Sequence, residues 1–288
     1  MAERRVRPRV SFVTRFAPSP TGPLHLGHAY SALVAHDMAR AVGGQFLLRF
    51  EDTDLERSKP EYTEQVIDDL TWLGITWDAP PLMQSDHFDT YNHSVEQLVA
   101  QGLTYPCRCS RKDIAAALAA PQEGVPHPVY PQTCKHRSMT DRGPSDALRL
   151  HMDRACDALS DANLSFTELG PLRKGVHPVD KATLIETVGD IVIGRKDIQT
   201  AAYFLASALD DVNQGITHVV RGVDLFEFTQ VQVLLLALLG HTPPLYYHHR
   251  LIRDENGKRL AKRDDARAIS LYRREGASPQ DIRSMVGL

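Results

Sequence analysis

Apolar residues recur along this chain with two different periods, and the order of those periods predicts the architecture. Residues 10–16 are rich in β-branched and aromatic side chains and read as a strand. A proline-, serine- and glycine-bearing loop over 17–23 follows. Leu26, Ala29, Leu33, Met38 and Ala39 then take up helical spacing until Gly43-Gly44 stops it. Residues 45–50 form a short apolar strand that runs into an acidic turn at 51–54. Val66, Ile67, Leu70 and Leu73 share one face of a helix over 60–74. Strand, helix, strand, helix over 10–75 predicts a βαβα unit, hence α/β class and an open parallel sheet.

The pattern fades between about 105 and 150, where proline, cysteine and histidine cluster. This stretch is expected to be an insertion or small subdomain braced by something other than a large core. Alternation resumes with a strand at 189–194, a helix at 200–211, a strand at 217–221 and a helix at 225–239. A last strand at 245–252 leads into a basic loop over 253–267 and a C-terminal helix. The expected division is 1–100 and 186–245 as two halves of one α/β domain, 101–185 as the insert, and 246–288 as basic loop and helical remnant.

Composition narrows the partners. With 288 residues, 42% hydrophobic and 24% charged, the chain has the balance of a globular protein, which excludes disorder, collagen and coiled coil. A formal charge of −3 does not suit a protein that coats nucleic acid with cationic surface. Any nucleic acid must be gripped through a local patch. Four cysteines are too few for a disulfide scaffold at this length, and three of them (Cys107, Cys109, Cys134) lie close enough in sequence to point to metal. The basic first nine residues are not followed by the apolar run of a signal peptide, and the most apolar stretch, 231–239, falls short of a bilayer. A soluble cytoplasmic protein without a membrane partner is the expectation.

Two motifs carry candidate chemistry. The first is Arg15-Phe16-Ala17-Pro18-Ser19-Pro20-Thr21-Gly22-Pro23-Leu24-His25-Leu26-Gly27-His28. It is a proline-stiffened loop feeding a helix N-terminus, where free N–H groups and the helix dipole favour an anion. His25 and His28 share a helix face, and Gly27 lets a flat group approach the backbone. That suits a phosphate and a nucleotide base, although two surface histidines on a capped helix would look the same. The second is Asp254-Glu255-Asn256-Gly257-Lys258-Arg259-Leu260-Ala261-Lys262-Arg263-Asp264-Asp265. Asn-Gly signals a tight turn, so these cations sit on a loop tip that can close over a triphosphate and stabilise charge on its α-phosphoryl group. A solvated charge run is the plain alternative.

In this order, across a split α/β sheet, the two motifs resemble the HIGH and KMSKS signatures of class I aminoacyl-tRNA synthetases. Residues 15–28, Phe50-Glu51-Asp52-Thr53-Asp54, Tyr203 to Asp211, and Val219-Val220-Arg221-Gly222-Val223-Asp224 are similar to blocks of the glutamyl branch. The Ala17-Pro18-Ser19 form of the opening favours glutamyl over glutaminyl. The resemblance implies a Rossmann-like catalytic domain with an inserted, zinc-bearing acceptor-type subdomain. It also implies activation of L-glutamate by ATP and Mg2+ to glutamyl-adenylate. Arg15 would pair with the glutamate side-chain carboxylate and Glu51 would accept from its ammonium, with Ser19, Tyr203 and Arg221 completing the pocket. His25, Gly27, His28 and Lys262 would hold ATP, and His25, His28 and Lys262 would serve the transfer.

There are departures. Arg259 stands for the first lysine of the second signature and Ala261 for its serine, while Lys262 is kept. Ser207 stands where glutamyl-tRNA synthetases commonly have asparagine. Only about 25 residues follow the basic loop, so no anticodon-binding domain is expected. This resembles the truncated glutamyl-Q tRNA(Asp) synthetases, which pass glutamate to queuosine at the wobble position of tRNA(Asp). That branch carries zinc on a Cys-x-Cys, Tyr, Cys set, here Cys107, Cys109, Tyr130 and Cys134, as one structural Zn2+ per chain. By coordination chemistry His127, His136 or Cys156 would be an easier fourth ligand than a phenol, and these rivals stay open. A monomer is expected. Two other readings remain: a minimal glutamyl-tRNA synthetase charging the acceptor end, and a non-catalytic synthetase paralogue that binds tRNA.

Overall fold

Strand β1 (Val13–Phe16) is buried along its whole length, as expected of a central strand covered on both faces. The computed structural model describes residues 12–110, 112–114, 129–160, 162–196, 200–253 and 267–288. After β1 come α1 (Leu26–Ala41), β2 (Gln45–Phe50), α2 (Pro60–Trp72), the two-residue β3 (Leu82–Met83) and α3 (Phe88–Ala100). Next are β4 (Thr104–Cys107), β5 (Ala147–Leu150), α4 (Met152–Asp157), β6 (Ser165–Glu168), β7 (Gly175–Pro178) and β8 (Val192–Gly194). The chain closes with α5 (Tyr203–Asn213), β9 (His218–Gly222), α6 (Thr229–Leu238), β10 (Leu245–His249), α7 (Ile269–Arg274) and α8 (Pro279–Val286).

Two half-sheets meet edge to edge. One has the order β1-β2-β3, all parallel, with Val13 opposite Gln45 and Phe16 opposite Leu48. The other has the order β7-β6-β10-β9, in which β10 runs parallel to both β6 and β9. Thr217, just before β9, stitches them: its N–H donates to the Val13 carbonyl at 3.0 Å and its Oγ1 accepts from the Val13 N–H at 2.8 Å. The chain leaves β1 toward β2 on one side and leaves β9 toward β10 on the other. Such a reversal opens a crevice at the carboxyl ends of the two strands, and the carboxyl ends here carry Arg15-Phe16 and Arg221-Gly222.

The structure redraws the middle of the chain. Strand β6, placed by its sequence position within the 101–185 insert, pairs through Glu168 with Tyr246 of the parallel sheet. The insert proper is the antiparallel sheet β4-β5-β8. One end of it has a sizeable core after all: Leu148, Leu150, Met152 and Ile193 pack with Leu205, Leu209, Val231 and Leu235 of helices α5 and α6. Among the described residues the other end packs Tyr105, Cys107, Tyr130 and Cys134, with Cys109 and Ile114 partly buried against them. Helices α7 and α8 return to the first half, where Ile269, Ile282 and Val286 join Leu33, Phe46 and Leu70. Among the described residues no helix is long and apolar enough to cross a membrane.

Candidate active site

The crevice is a cleft of about 490 Å³ lined by Arg15, Ser19, His25, Gly27, His28, Glu51, Tyr203 and Arg221, together with His249 and Arg250 at the end of β10. All the proposed pocket residues of the first motif and of the three following blocks therefore share one space. Lys262, Arg259 and Ala261 lie outside the described residues. The residues flanking that segment approach the same cleft: Ile252 lines it, and the Ile269 N–H donates to the Leu24 carbonyl at 2.8 Å beside His25.

The floor at the start of α1 is built by its cap. His25 is the N-cap residue, and its Nδ1 accepts from the Gly27 N–H at 3.1 Å. His28 reaches back so that its Nδ1 accepts from the His25 N–H at 3.3 Å. The two rings stack with centroids 3.8 Å apart. Because both Nδ1 atoms accept, the proton of each neutral ring sits on Nε2, a donor suited to an anion at the helix N-terminus. A Cβ at Gly27 would press on the His25 ring at 3.0 Å, so glycine there keeps this paired geometry.

Behind the cleft lies a buried charge network that the sequence motifs did not announce. Arg15 grips Asp211 with Nε at 2.7 Å and Nη2 at 3.2 Å, and its Nη1 donates to the Val220 carbonyl at 3.3 Å. Three of its five N–H groups are thus used, leaving two on the outer edge of the fork. Arg49 is fully buried and donates to Asp211 at 2.8 Å, Gln214 at 3.1 Å and Glu51 at 3.3 Å. Asp210 is held by Tyr91 Oη at 2.8 Å and Gln84 at 2.7 Å. Burial disfavours ionisation of Asp211, but the charges of Arg15 and Arg49 outweigh it and hold the carboxyl below its ordinary range. Glu51 is pushed the other way, by burial first, with Arg49 and Arg15 opposing. Tyr203 borders the cleft with its residue 41% exposed, while the protein around its hydroxyl and the Glu51 charge push the phenol up to about 12.

Asp211 and Arg49 are the functional-looking residues that reading the sequence missed. Their signals were present: a lone arginine inside the apolar strand 45–50, and paired aspartates inside the apolar helix that begins at Tyr203. A buried charge in such a run demands a partner.

Arg221 sits opposite in a second cage. Its Nε donates to His248 Nε2 at 3.0 Å, Nη1 to Gln232 Oε1 at 2.6 Å and Nη2 to Thr229 Oγ1 at 2.8 Å. Ser207 does not face Arg221 directly; its Oγ accepts from Gln232 Nε2 at 2.8 Å.

A separate constellation closes the far end of the insert. The sulfurs of Cys107, Cys109 and Cys134 lie within 4.8 Å of one another and could hold a metal ion. Tyr130 Oη stands 3.3 Å from Cys107 Sγ and 3.5 Å from Cys109 Sγ. Arg149 donates to Cys107 Sγ at 3.3 Å and stacks 3.5 Å over the Tyr130 ring. A cation placed there offsets the negative charge that thiolates and a phenolate bring to a metal, so the donor set fits a thiophilic divalent ion. Of the rival ligands, His136 is exposed and outside this cluster. Cys156 is in the helical core, where burial pushes its thiol up to about 11. His127 lies outside the described residues.

A family model described as tRNA synthetases class I (E and Q), catalytic domain, matches residues 11–288. The chain belongs to this class I synthetase family. Members of the family are ligases, and the match runs across both half-sheets, the insert and the C-terminal helices. A "Glutamyl-Q tRNA(Asp) synthetase" of Rhodobacter capsulatus is 54% identical over 96% of this chain and 100% of its own length. One of Rhodopirellula baltica is 39% identical over 94% of this chain and 83% of its own. Among solved structures, a glutamate tRNA ligase from Elizabethkingia meningosepticum in complex with its amino acid aligns with a TM-score of 0.75 and 26% identity. That alignment covers 96% of this synthetase chain and 60% of the other, so this chain spans about three-fifths of that structure's length.

Proposed function

We propose that the chain activates L-glutamate with ATP and transfers it to queuosine at the wobble position of tRNA(Asp). The observation that carries this reading is the convergence on one cleft of two arginine forks, a carboxylate and a capped-helix anion site. The close relatives' names supply the finer choice of acceptor. The outer edge of Arg15, with its two remaining N–H groups, suits the side-chain carboxylate of glutamate, and Glu51 suits its ammonium. Ser19, Tyr203 and Arg221 complete the amino-acid side. His25, Gly27 and His28 form the ATP side, where two Nε2–H donors and the helix N-terminus meet phosphate. Lys262 is assigned to the transferring phosphoryl group, and Mg2+ accompanies the nucleotide.

The α-carboxylate oxygen attacks the α-phosphorus as the bond to the β-phosphate oxygen breaks, giving glutamyl-adenylate and pyrophosphate. A hydroxyl of the queuosine cyclopentenediol then attacks the activated carbonyl, loses its proton and displaces AMP. That cis diol resembles the terminal ribose diol of a tRNA, so one adenylate site serves either acceptor. We assign Cys107, Cys109, Tyr130 and Cys134 to a Zn2+ that ties down the end of the insert and takes no part in the transfer.

Labelled glutamate incubated with ATP and tRNA from cells with and without queuosine tests the reading. Label should appear on tRNA(Asp) only in the queuosine-containing preparation. Label on queuosine-free tRNA(Glu) overturns it in favour of acceptor-end charging. Absence of glutamate-dependent ATP–pyrophosphate exchange removes both enzyme readings and leaves a binding protein.

A further inference from the structure

We propose that Glu168 and His248 form a buried relay that fixes Arg221 in the amino-acid pocket, making His248 a positioning residue of the reaction. The inference rests on the assignment of Arg221 to that pocket. Three strands supply the relay: Glu168 from β6, His248 from β10 and Arg221 from β9. Glu168 and His248 are each 1% exposed, and neither borders the cleft.

The proton positions follow from the donors. A guanidinium has no acceptor, so in the 3.0 Å contact Arg221 Nε–H donates and His248 Nε2 must be bare. The proton of the neutral ring is then on Nδ1, which donates to Glu168 Oε2. The other carboxylate oxygen, Oε1, accepts the backbone N–H groups of His248 at 2.8 Å and Gly170 at 2.6 Å. A Cβ at position 170 would meet that oxygen at 2.6 Å and the His248 carbonyl at 2.5 Å, so glycine is what lets the turn close on the carboxylate. On the other side Ser207 orients Gln232, and Gln232 orients Arg221. Three of the five Arg221 N–H groups are spent on this cage and two are left for a ligand.

Thr229 Oγ1, 3.3 Å from the same Nε2, can also donate to it, so the bare nitrogen suits both neighbours. A second proton on His248 makes both ring nitrogens donors and sets N–H against N–H at Arg221. The charged and titratable groups facing the ring are Glu168 from β6, Arg221 from β9, Asp224 after β9, and Tyr246 and His249 on its own strand, the Tyr246 ring stacking 6.0 Å from it. Burial, then the Arg221 charge, depresses the imidazole below its ordinary 6.5 against the pull of Glu168.

The test is glutamate-dependent ATP–pyrophosphate exchange in the presence of queuosine-containing tRNA, with glutamate KM and kcat separated across pH. In Glu168→Gln the amide oxygen takes the two backbone donors, so its NH2 group faces Nδ1 and forces the proton to Nε2, against Arg221. Glutamate KM should rise about tenfold at pH 8 with little change in kcat. His248→Gln keeps an acceptor for Arg221 but cannot titrate. It should hold KM within about threefold at pH 8 and lose the acid-side rise expected of the wild type once pH falls below the ordinary imidazole value of 6.5. Added to Glu168→Gln, it should restore KM, an effect that a merely structural role would not produce. An unchanged KM in Glu168→Gln, an acid-side rise that persists in His248→Gln, or a failed rescue overturns the relay. Arg221→Ala separates the levels: if it leaves KM unchanged, the pocket assignment fails and the relay with it. If it raises KM while both relay variants behave as wild type, the relay alone fails. Should Glu168→Gln not fold, the pH profile of His248→Gln decides.

Discussion

The charge network behind the cleft and the cysteine cluster of the insert both gather polar groups around arginine, yet they are assembled in opposite ways. The cluster is local: Cys107, Cys109, Tyr130 and Cys134 come from one short stretch of chain, with Arg149 added from the neighbouring strand β5. The network is assembled from far apart. Arg15 and Arg49 come from β1 and β2, and the carboxylate that binds both, Asp211, comes from the end of α5. A local set can be read as a spacing, and it could hold a metal ion taken from solution. A long-range set is fixed only when the two halves of the sheet meet, and its cations are built in. The contrast predicts where each should break.

The largest effect should come from the network. Asp211→Ala leaves two buried guanidinium groups without their shared carboxylate, and removing one partner of a buried pair costs about 3–5 kcal/mol. Urea unfolding should show a correspondingly lower midpoint, and an unchanged midpoint would deny the network its role in joining the half-sheets. The pH dependence has a definite sign. Asp211 ionises below its ordinary value in the fold, so its contribution is present above the unfolded value of 3.8 and is lost as pH falls through the lower folded value. The cluster comes next. Metal at a thousandfold excess over its Kd would stabilise the fold by about 4 kcal/mol, and Cys109→Ser should remove it. Metal analysis of the purified variant checks this, and undiminished stoichiometric zinc takes Cys109 out of the ligand set.

How much was legible follows the same line. The strands and helices of 10–75 follow the apolar periods closely: β2 spans Gln45–Phe50 and α2 starts at Pro60, because each buries a stripe that its own sequence displays. The cysteines were legible for the same reason. Helix α3 is faint in the sequence, because polar residues dilute the stripe in which Tyr91, Val95 and Leu98 mark its buried face. Strand β6 was hidden because its inward positions are Phe166 and Glu168, and a carboxylate in a core position breaks the apolar alternation. In the site, the motif positions Arg15, Ser19, His25, Gly27, His28, Glu51, Tyr203 and Arg221 line one cleft, while Lys262 lies outside the described residues. Arg49, Asp211, Glu168 and His248 were not legible, because each acts on a partner that only the tertiary fold brings near.

Asp69 sharpens the comparison from the other side. It is fully buried on α2, and neither carboxylate oxygen has a hydrogen-bond partner among the described residues. Burial, with the neighbouring Asp68 charge adding to it, pushes its carboxyl up to about 6. Its sign is therefore opposite to that of Asp211: stability is highest while both states are protonated and falls as pH rises from 3.8 to about 6. Asp69→Asn should remove that loss and stabilise the protein at neutral pH by up to about 3 kcal/mol. Thermal unfolding at pH 5 and pH 8 checks it, since the gain must be larger at the higher pH.

The smallest effect sets the baseline for local chemistry without buried charge. Ser278 caps α8: its Oγ accepts from the Asp281 N–H at 3.2 Å while Asp281 accepts from the Ser278 N–H at 2.8 Å, closing a reciprocal box. The box is exposed and lies within four consecutive residues, so water can replace whatever is removed. Ser278→Ala should cost about 1 kcal/mol, a shift of a few degrees at most, with glutamate activation unaltered because Ser278 caps the end of α8 opposite Val286, whose carbonyl accepts from Arg250 of the cleft. A loss as large as that of Asp211→Ala would mean that the C-terminal helices hold the half-sheets together as strongly as the buried arginines do. The distinction between local and long-range assembly would then fail.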